Sequence, residues 1–287
     1  MSNNTLRVTW FVPPAIAVAA SWKEPPGFHL ESSRTQSSDE QYQLLCDGVV
    51  DAAVTSIDNV LHWNQRQGPE DFVVVAQMET TTPLHLIGSS TLSAPADLVG
   101  ANILVDAPQN GFVIALRALL QQAGLGTGDY RLTPVGGVRE RFSALIEGQG
   151  DATLLGPPFD TMAVQRGLKH IATIQDVFAG FPGQGLVVRR SVSHGNEALK
   201  TWIRMLQASL ATVPGDTEKL KMALDSLDLP SEAVTALVNT FPSTLIPSRD
   251  GIELLIGQRA LLGLSGANVT YEQIVDCSFL QSFRRPI

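Results

Sequence analysis

The sequence predicts an α/β protein of two similar lobes, each a mostly parallel sheet flanked by helices, with a run of C-terminal helices packed on the first lobe. Three observations predict it. Residues 45–52 (LCDGVVDA) and 145–152 (LIEGQGDA), one hundred residues apart, share the pattern L-x-[D/E]-G-x-x-D-A. The segments around the two copies recur in the same order, and a β-type crossover lies between them.

Each half opens on an apolar β-type run, residues 6–12 (LRVTWFV) and 102–107 (NILVDA). Second short strands follow at 28–32 and 130–134, then small-residue loops at 35–38 and 135–137 that lead into the motif helix. In the motif, Gly48 or Gly148 stops that helix in the left-handed conformation that a Cβ disfavours, and a strand begins shortly after. Strand, helix, strand, helix, strand is a parallel α/β unit, and here it occurs twice. Residues 72–77 and 84–88 are β-type runs joined by the threonine-rich 78–83, which suits an extended crossover. Hinge crossings are therefore expected near 79–88 and 181–187, with lobe 1 formed by 1–84 and 186–287 and lobe 2 by 85–185. Helices are expected at 196–213, 216–227, 231–240 and 251–262, with Pro230 and Ser231-Glu232 as start signals.

Composition narrows the function classes. At 287 residues, 44% hydrophobic and 17% charged, the chain is long enough for two cores and too apolar for disorder. A net charge of −8 repels phosphate backbones, and the densest basic cluster is only Arg284-Arg285, so nucleic acid is not an expected partner. No membrane span is expected: the longest weakly polar stretch, 11–20, is too short and contains Pro13-Pro14. Residues 1–5 have neither a basic nor an apolar signal region, so the chain as written is expected in the cytoplasm, or in the periplasm or outside the cell if a leader precedes it. Cys46 and Cys277 form neither a CxxC nor a zinc-type spacing, and Cys46 is expected as a small buried hydrophobe. No metal or cofactor is expected, and a monomer or weak dimer is.

The order of these motifs, together with Asp97-Leu98-Val99-Gly100-Ala101-Asn102-Ile103 ahead of the second lobe, resembles type II periplasmic solute-binding proteins. Within them it is similar to the nitrate, sulfonate and taurine branch that includes the thiamine-pyrimidine synthases. The resemblance covers residues 6–190 and, more loosely, the C-terminal third. It implies two α/β lobes closing on a small solute, anionic or heteroaromatic, that is delivered to an ABC importer. Two departures stand out: Pro13-Pro14-Ala15 occupies the first loop, and the cysteine-rich motif of the pyrimidine synthases is absent.

In parallel sheets a ligand site lies beyond the carboxyl ends of the strands. The candidate loops are 11–15, 35–38 and 55–59 in the first half and 106–112, 135–139 and 155–159 in the second, each preceding a helix N-terminus that favours an anion. Ser37, Ser38, Thr55 and Ser56 offer hydroxyls or helix caps, Asp58 and Asn110 offer polar side chains, and Gly111, Gly136, Gly137 and Gly156 offer bare amides. Phe11, Pro13, Pro14 and Pro157 shape the walls, and Phe11, Phe112 and Phe159 are able to stack on a planar solute. Arg139 is the cation expected to grip a carboxylate or sulfonate, or else a solvated partner of Glu140 or Asp151.

An enzyme on the same scaffold, a lyase or hydrolase, is the alternative. His62, four residues after Asp58, is then the candidate base, and otherwise a helix-surface residue outside the cleft. His29, His85, His170 and His194 have no visible acidic partner, and no Gly-x-Ser-x-Gly, His-Glu-x-x-His or phosphate-loop motif occurs.

Overall fold

The computed structural model describes residues 4–226 and 230–281; Leu227 and the Arg284-Arg285 pair lie outside them. The first half runs β1 (Thr5–Trp10), α1 (Ala15–Ala20), β2 (His29–Arg34), α2 (Ser38–Cys46), β3 (Ala52–Ser56), α3 (Asp58–Trp63) and β4 (Phe72–Gln77). The second runs β5 (His85–Gly88), β6 (Asn102–Val105), α4 (Val113–Gln122), β7 (Arg131–Pro134), α5 (Val138–Ile146), β8 (Ala152–Leu155), α6 (Phe159–Gln165), β9 (Lys169–Thr173) and α7 (Ile174–Val177). The chain then returns through β10 (Gln184–Arg189) to α8 (Arg190–Ser193), α9 (Glu197–Thr212), α10 (Thr217–Asp225), α11 (Ser231–Asn239), α12 (Arg249–Leu261), α13 (Tyr271–Ile274) and α14 (Ser278–Gln281).

Two five-stranded sheets result, ordered β2-β1-β3-β10-β4 and β7-β6-β8-β5-β9. In each, four strands share one direction and one opposes its neighbours. The opposing strand is β5 in one sheet and β10 in the other, the first strand after each passage between lobes. The two passages therefore play the same topological part.

The repeated motif has a structural reason. Gly48 and Gly148 end their helices at φ +65° and +73°. Asp51 then accepts from the Arg7 N–H at 2.8 Å and donates its own N–H to the Arg7 carbonyl at 2.8 Å. Asp151 makes the same reciprocal pair with Asn102, at 2.7 and 2.8 Å. The motif aspartate thus ties the start of β3 or β8 to the opening strand of its own lobe, and so sets the register in which those strands pair.

Strands β1 and β2, expected at 6–12 and 28–32, each begin one residue and end two residues from expectation, the usual uncertainty of element ends. Helices α9 and α10 pack against α1 on the first lobe, and α11 packs on α10 and joins the cluster that holds Ala15 and Ala19 of α1. Helix α12 also touches the second lobe: it lies against both α3 and α4, and Ile252 and Leu255 join a core that continues from Trp63 and Phe72 to Leu116 and Leu120. Cys46 and Cys277 are unpaired and only partly buried, so Cys46 sits at the margin of the core rather than inside it. Among the described residues no helix is long and apolar enough to cross a membrane.

Candidate ligand-binding site

A cavity of about 100 Å³ lies between the sheets. By the same measure one water needs roughly 10–15 Å³, so the space suits a solute of a few heavy atoms. Its walls come from the carboxyl ends of the parallel strands: Phe11 and Val12 beyond β1, Thr55 and Ser56 closing β3, Asp106 beyond β6, and Gly156-Pro157 beyond β8. The first passage adds Glu79 and Thr82, β10 adds Gln184, and α11 reaches over with Leu237 and Thr240.

Seven of the expected residues line this space: Phe11, Thr55, Ser56, Asn110, Gly111, Gly156 and Pro157, with Phe112 beside them. The others serve its frame. Ser37 caps α2 by accepting from the Glu40 N–H at 3.0 Å. Ser38 is buried behind the wall, where its N–H donates to Asp106 at 3.0 Å and its hydroxyl accepts from Asn110 at 3.2 Å. The Gly137 amide donates to the Gln36 carbonyl across the lobes at 2.5 Å, so it faces protein rather than the cavity, and a Cβ on Gly136 would lie 3.0 Å from the same carbonyl oxygen. Pro13 and Pro14 lead into α1, outside the lining. Phe159 packs on Phe142 with ring centroids 5.4 Å apart.

Arg139 points outward, its guanidinium 5.6 Å from the Phe159 ring centre. Arg141 is the arginine among the cavity's described lining residues. The difference is helical phase: α5 starts at Val138, so positions 138 and 141, three apart, share the face that looks into the cleft, while 139 is turned away. Arg141 donates to the Gly136 carbonyl at 3.0 Å and the Leu154 carbonyl at 3.2 Å, which hold it extended along the wall. Burial lowers its pKa while Asp106 and Glu140 oppose that shift.

Asp58 is fully buried and reaches Arg259 of α12 at 2.7 Å, a partner 201 positions away that no local pattern signals. The same carboxylate oxygen accepts from the Gly111 N–H at 2.9 Å, and Arg259 also donates to the Gln109 carbonyl at 3.2 Å. Asn110 donates to Asn59 at 2.7 Å, and Asn59 to Thr55 at 2.7 Å. The loop between β6 and α4 is thus fastened to α3 and α12, and the lobes are held together over the cavity. Burial raises Asp58 to about 6 despite the pull of Arg259, and it raises Glu79 and Asp106 as well.

His62 lies on α3 away from the cavity, and no histidine is among the cavity's described lining residues. Burial, Arg259 and Arg66 lower its pKa from 6.5 to about 4. The folded chain therefore binds fewer protons than the unfolded chain between those values, so the stability tied to His62 is full above pH 6.5 and lost as pH falls toward 4. Urea midpoints measured from pH 7 to 4 are expected to fall more steeply for the native chain than for His62→Gln; equal slopes would show an unperturbed imidazole. Two other histidines do have acidic neighbours, contrary to the sequence expectation: His85 lies 3.4 Å from Asp160 and 3.0 Å from His170, and His194 lies 3.3 Å from Asp276. These pairs are separated by between 75 and 85 positions, and β-sheet and helix packing bring them together.

Two α/β lobes with a cavity at the ends of their parallel strands define the class of two-lobed binding-protein folds. The chain belongs to the NMT1-like family, whose model matches residues 5–223. Among curated protein sequences none matches it. Solved structures share the fold. The ligand-binding component of an ABC-type import system from Staphylococcus aureus, with zinc bound, is 14% identical, covering 98% of this chain and 99% of its own, with a TM-score of 0.81. The periplasmic nitrate-binding protein NrtA from Synechocystis PCC 6803 is 11% identical over 99% and 90%, with a TM-score of 0.80. The alkanesulfonate-binding protein SsuA from Xanthomonas axonopodis pv. citri, bound to MOPS, is 18% identical over 91% and 92%, with a TM-score of 0.73.

Proposed function

We propose that this chain captures a small solute between its lobes and serves as the substrate-binding component of an ABC importer. The observation that carries this reading is the cavity between the sheets, walled by both lobes and lined by polar side chains from strand ends, together with Arg141. The names of the similar structures, a nitrate-binding protein, a sulfonate-binding protein and an import component, support it. Opening would occur about the two passages near 79–88 and 181–187, where the Met78 N–H bonds the Gln184 carbonyl at 2.8 Å and the strands run side by side. A solute that contacts both lobes stabilises the closed arrangement because only that arrangement presents both walls. Delivery to a permease would place the chain outside the cytoplasm.

Thermal-shift screening of organic acids, sulfonates and heteroaromatics, followed by small-angle scattering, tests the proposal: a solute that raises the melting point is expected to contract the particle. No hit across the three classes would overturn it. For an acidic hit, Arg141→Ala is expected to weaken binding about 10- to 100-fold, the range for losing a hydrogen bond to a charged group, and Arg139→Ala to leave it within twofold. The reverse order of effects would place the acid at the outer rim rather than in the cavity.

A further inference from the structure

The cavity holds a carboxylate that the solute-binding reading does not by itself explain. Glu79 lies in the first passage, lines the cavity and is only 3% exposed. Its neighbours are neutral: the Thr82 hydroxyl and the Gln184 N–H at 3.5 Å donate to Oε2, and the Gln184 amide donates to Oε1 at 3.0 Å. A carboxylate has about four acceptor positions, so Oε1 keeps one that no described residue fills. The groups that act on Glu79 are Thr82 and Gln184, and neither carries a charge. Asp58, equally buried, has Arg259 against it. A buried carboxylate without a cation is costly unless something positive, or a proton, completes it.

The remaining charges in the cavity make the same point. Asp106 also lines the space, accepting from the Ser38 N–H, and Arg141 is the cation among the described lining residues. Among the described lining residues, one buried and one partly buried carboxylate against one guanidinium make a poor trap for a simple anion, which would face net repulsion there. Arg141 already gives two N–H groups to backbone carbonyls, which lessens its hold on an anion further.

We propose that Glu79 is the specificity-determining residue of the site and receives a cationic nitrogen carried by the solute, so that the chain binds amine-bearing small molecules in preference to their deaminated counterparts. Resting on the solute-binding reading, this assigns the solute its charge class. The ammonium would donate to the open position of Oε1, and an acidic group on the same solute would face Arg141. A point mutation at Glu79 is expected to change which solutes bind, whereas a purely structural carboxylate would change only stability.

Matched pairs isolate the term: β-alanine against propionate, and 2-aminoethanesulfonate against ethanesulfonate, each titrated calorimetrically into the full chain. Native protein is expected to bind the amine-bearing member of at least one pair about 30-fold or more tightly, the range for a desolvated charge pair. In Glu79→Gln that preference is expected to collapse to within threefold. The comparison within native protein stands even if the variant folds poorly. Tighter binding of the deaminated member, a preference that survives in Glu79→Gln, or no binding of any of the four would each overturn the inference. The scattering contraction on other solutes would still decide the solute-binding reading separately.

Discussion

Replacing Arg259 with alanine is expected to lower the unfolding free energy by about 3–5 kcal/mol, the range for a buried charge left without its partner. Both groups of the Arg259–Asp58 pair are sealed from solvent, with side-chain exposures of 1% and 0%. The guanidinium also donates from Nε to the Ser265 carbonyl at 2.6 Å and from Nη2 to the Gln109 carbonyl at 3.2 Å, so three acceptors lose their donor at once. Among the described residues Asp58 Oδ1 already has no partner, and without Arg259 only the Gly111 N–H of these would remain on the carboxylate. Lysine is no substitute, because one ammonium does not span three acceptors in the plane of the guanidinium. Urea denaturation at pH 7 gives the number. A loss under about 1 kcal/mol would mean that solvent reaches Asp58. The double variant Arg259→Met, Asp58→Leu is expected to recover most of the loss, since removing both charges removes the uncompensated one.

The same pair separates what local sequence encodes from what it does not. The duplicated Gly-x-x-Asp-Ala is legible because its bonds close within one lobe, Asp51 on Arg7 and Asp151 on Asn102. The loops at the carboxyl ends of β1, β3, β6 and β8 are legible because strand direction alone places them at the cleft. Which side chain in a loop faces inward is not. It depends on the residue at which the following helix starts, and a small change of phase exchanges Arg139 for Arg141. The Gly136 and Gly137 amides look free in sequence, yet Gly137 is bonded across the lobes to Gln36. Glu79 reads as part of a connector, because a connector's burial is decided by the second passage lying on it. Arg259 reaches Asp58 from 201 positions away, and no spacing rule covers such a distance.

Gly183→Val is expected to cost about 3 kcal/mol and to abolish solute binding, the stability figure standing at the upper end for an overpacked site. A Cβ at position 183 would lie 2.5 Å from the Glu79 carbonyl oxygen, 2.9 Å from its carbonyl carbon and 2.6 Å from its Cβ. Two of these are backbone atoms, so no rotamer change relieves the clash and the two passages must part. Parting them strains the Gly183 N–H bond to the Thr80 carbonyl at 3.3 Å and the Met78 N–H bond to the Gln184 carbonyl at 2.8 Å, both of which hold the passages side by side. It also moves the Glu79 carboxylate away from the Gln184 amide. The effect on binding should therefore exceed what the stability loss alone produces. At a temperature low enough for the variant to remain folded by circular dichroism, calorimetry with the hits of the native chain is expected to give no measurable heat. Native affinity in a folded Gly183→Val would mean that the passages tolerate separation, and that the cavity is governed by α3, α5 and α12 instead. Gly156, whose Cβ would meet the Pro83 carbonyl oxygen at 2.8 Å on the other side of the first passage, supplies an independent check. Gly156→Val is expected to act in the same direction, because it displaces the passage from the lobe 2 wall as Gly183→Val does from the return strand.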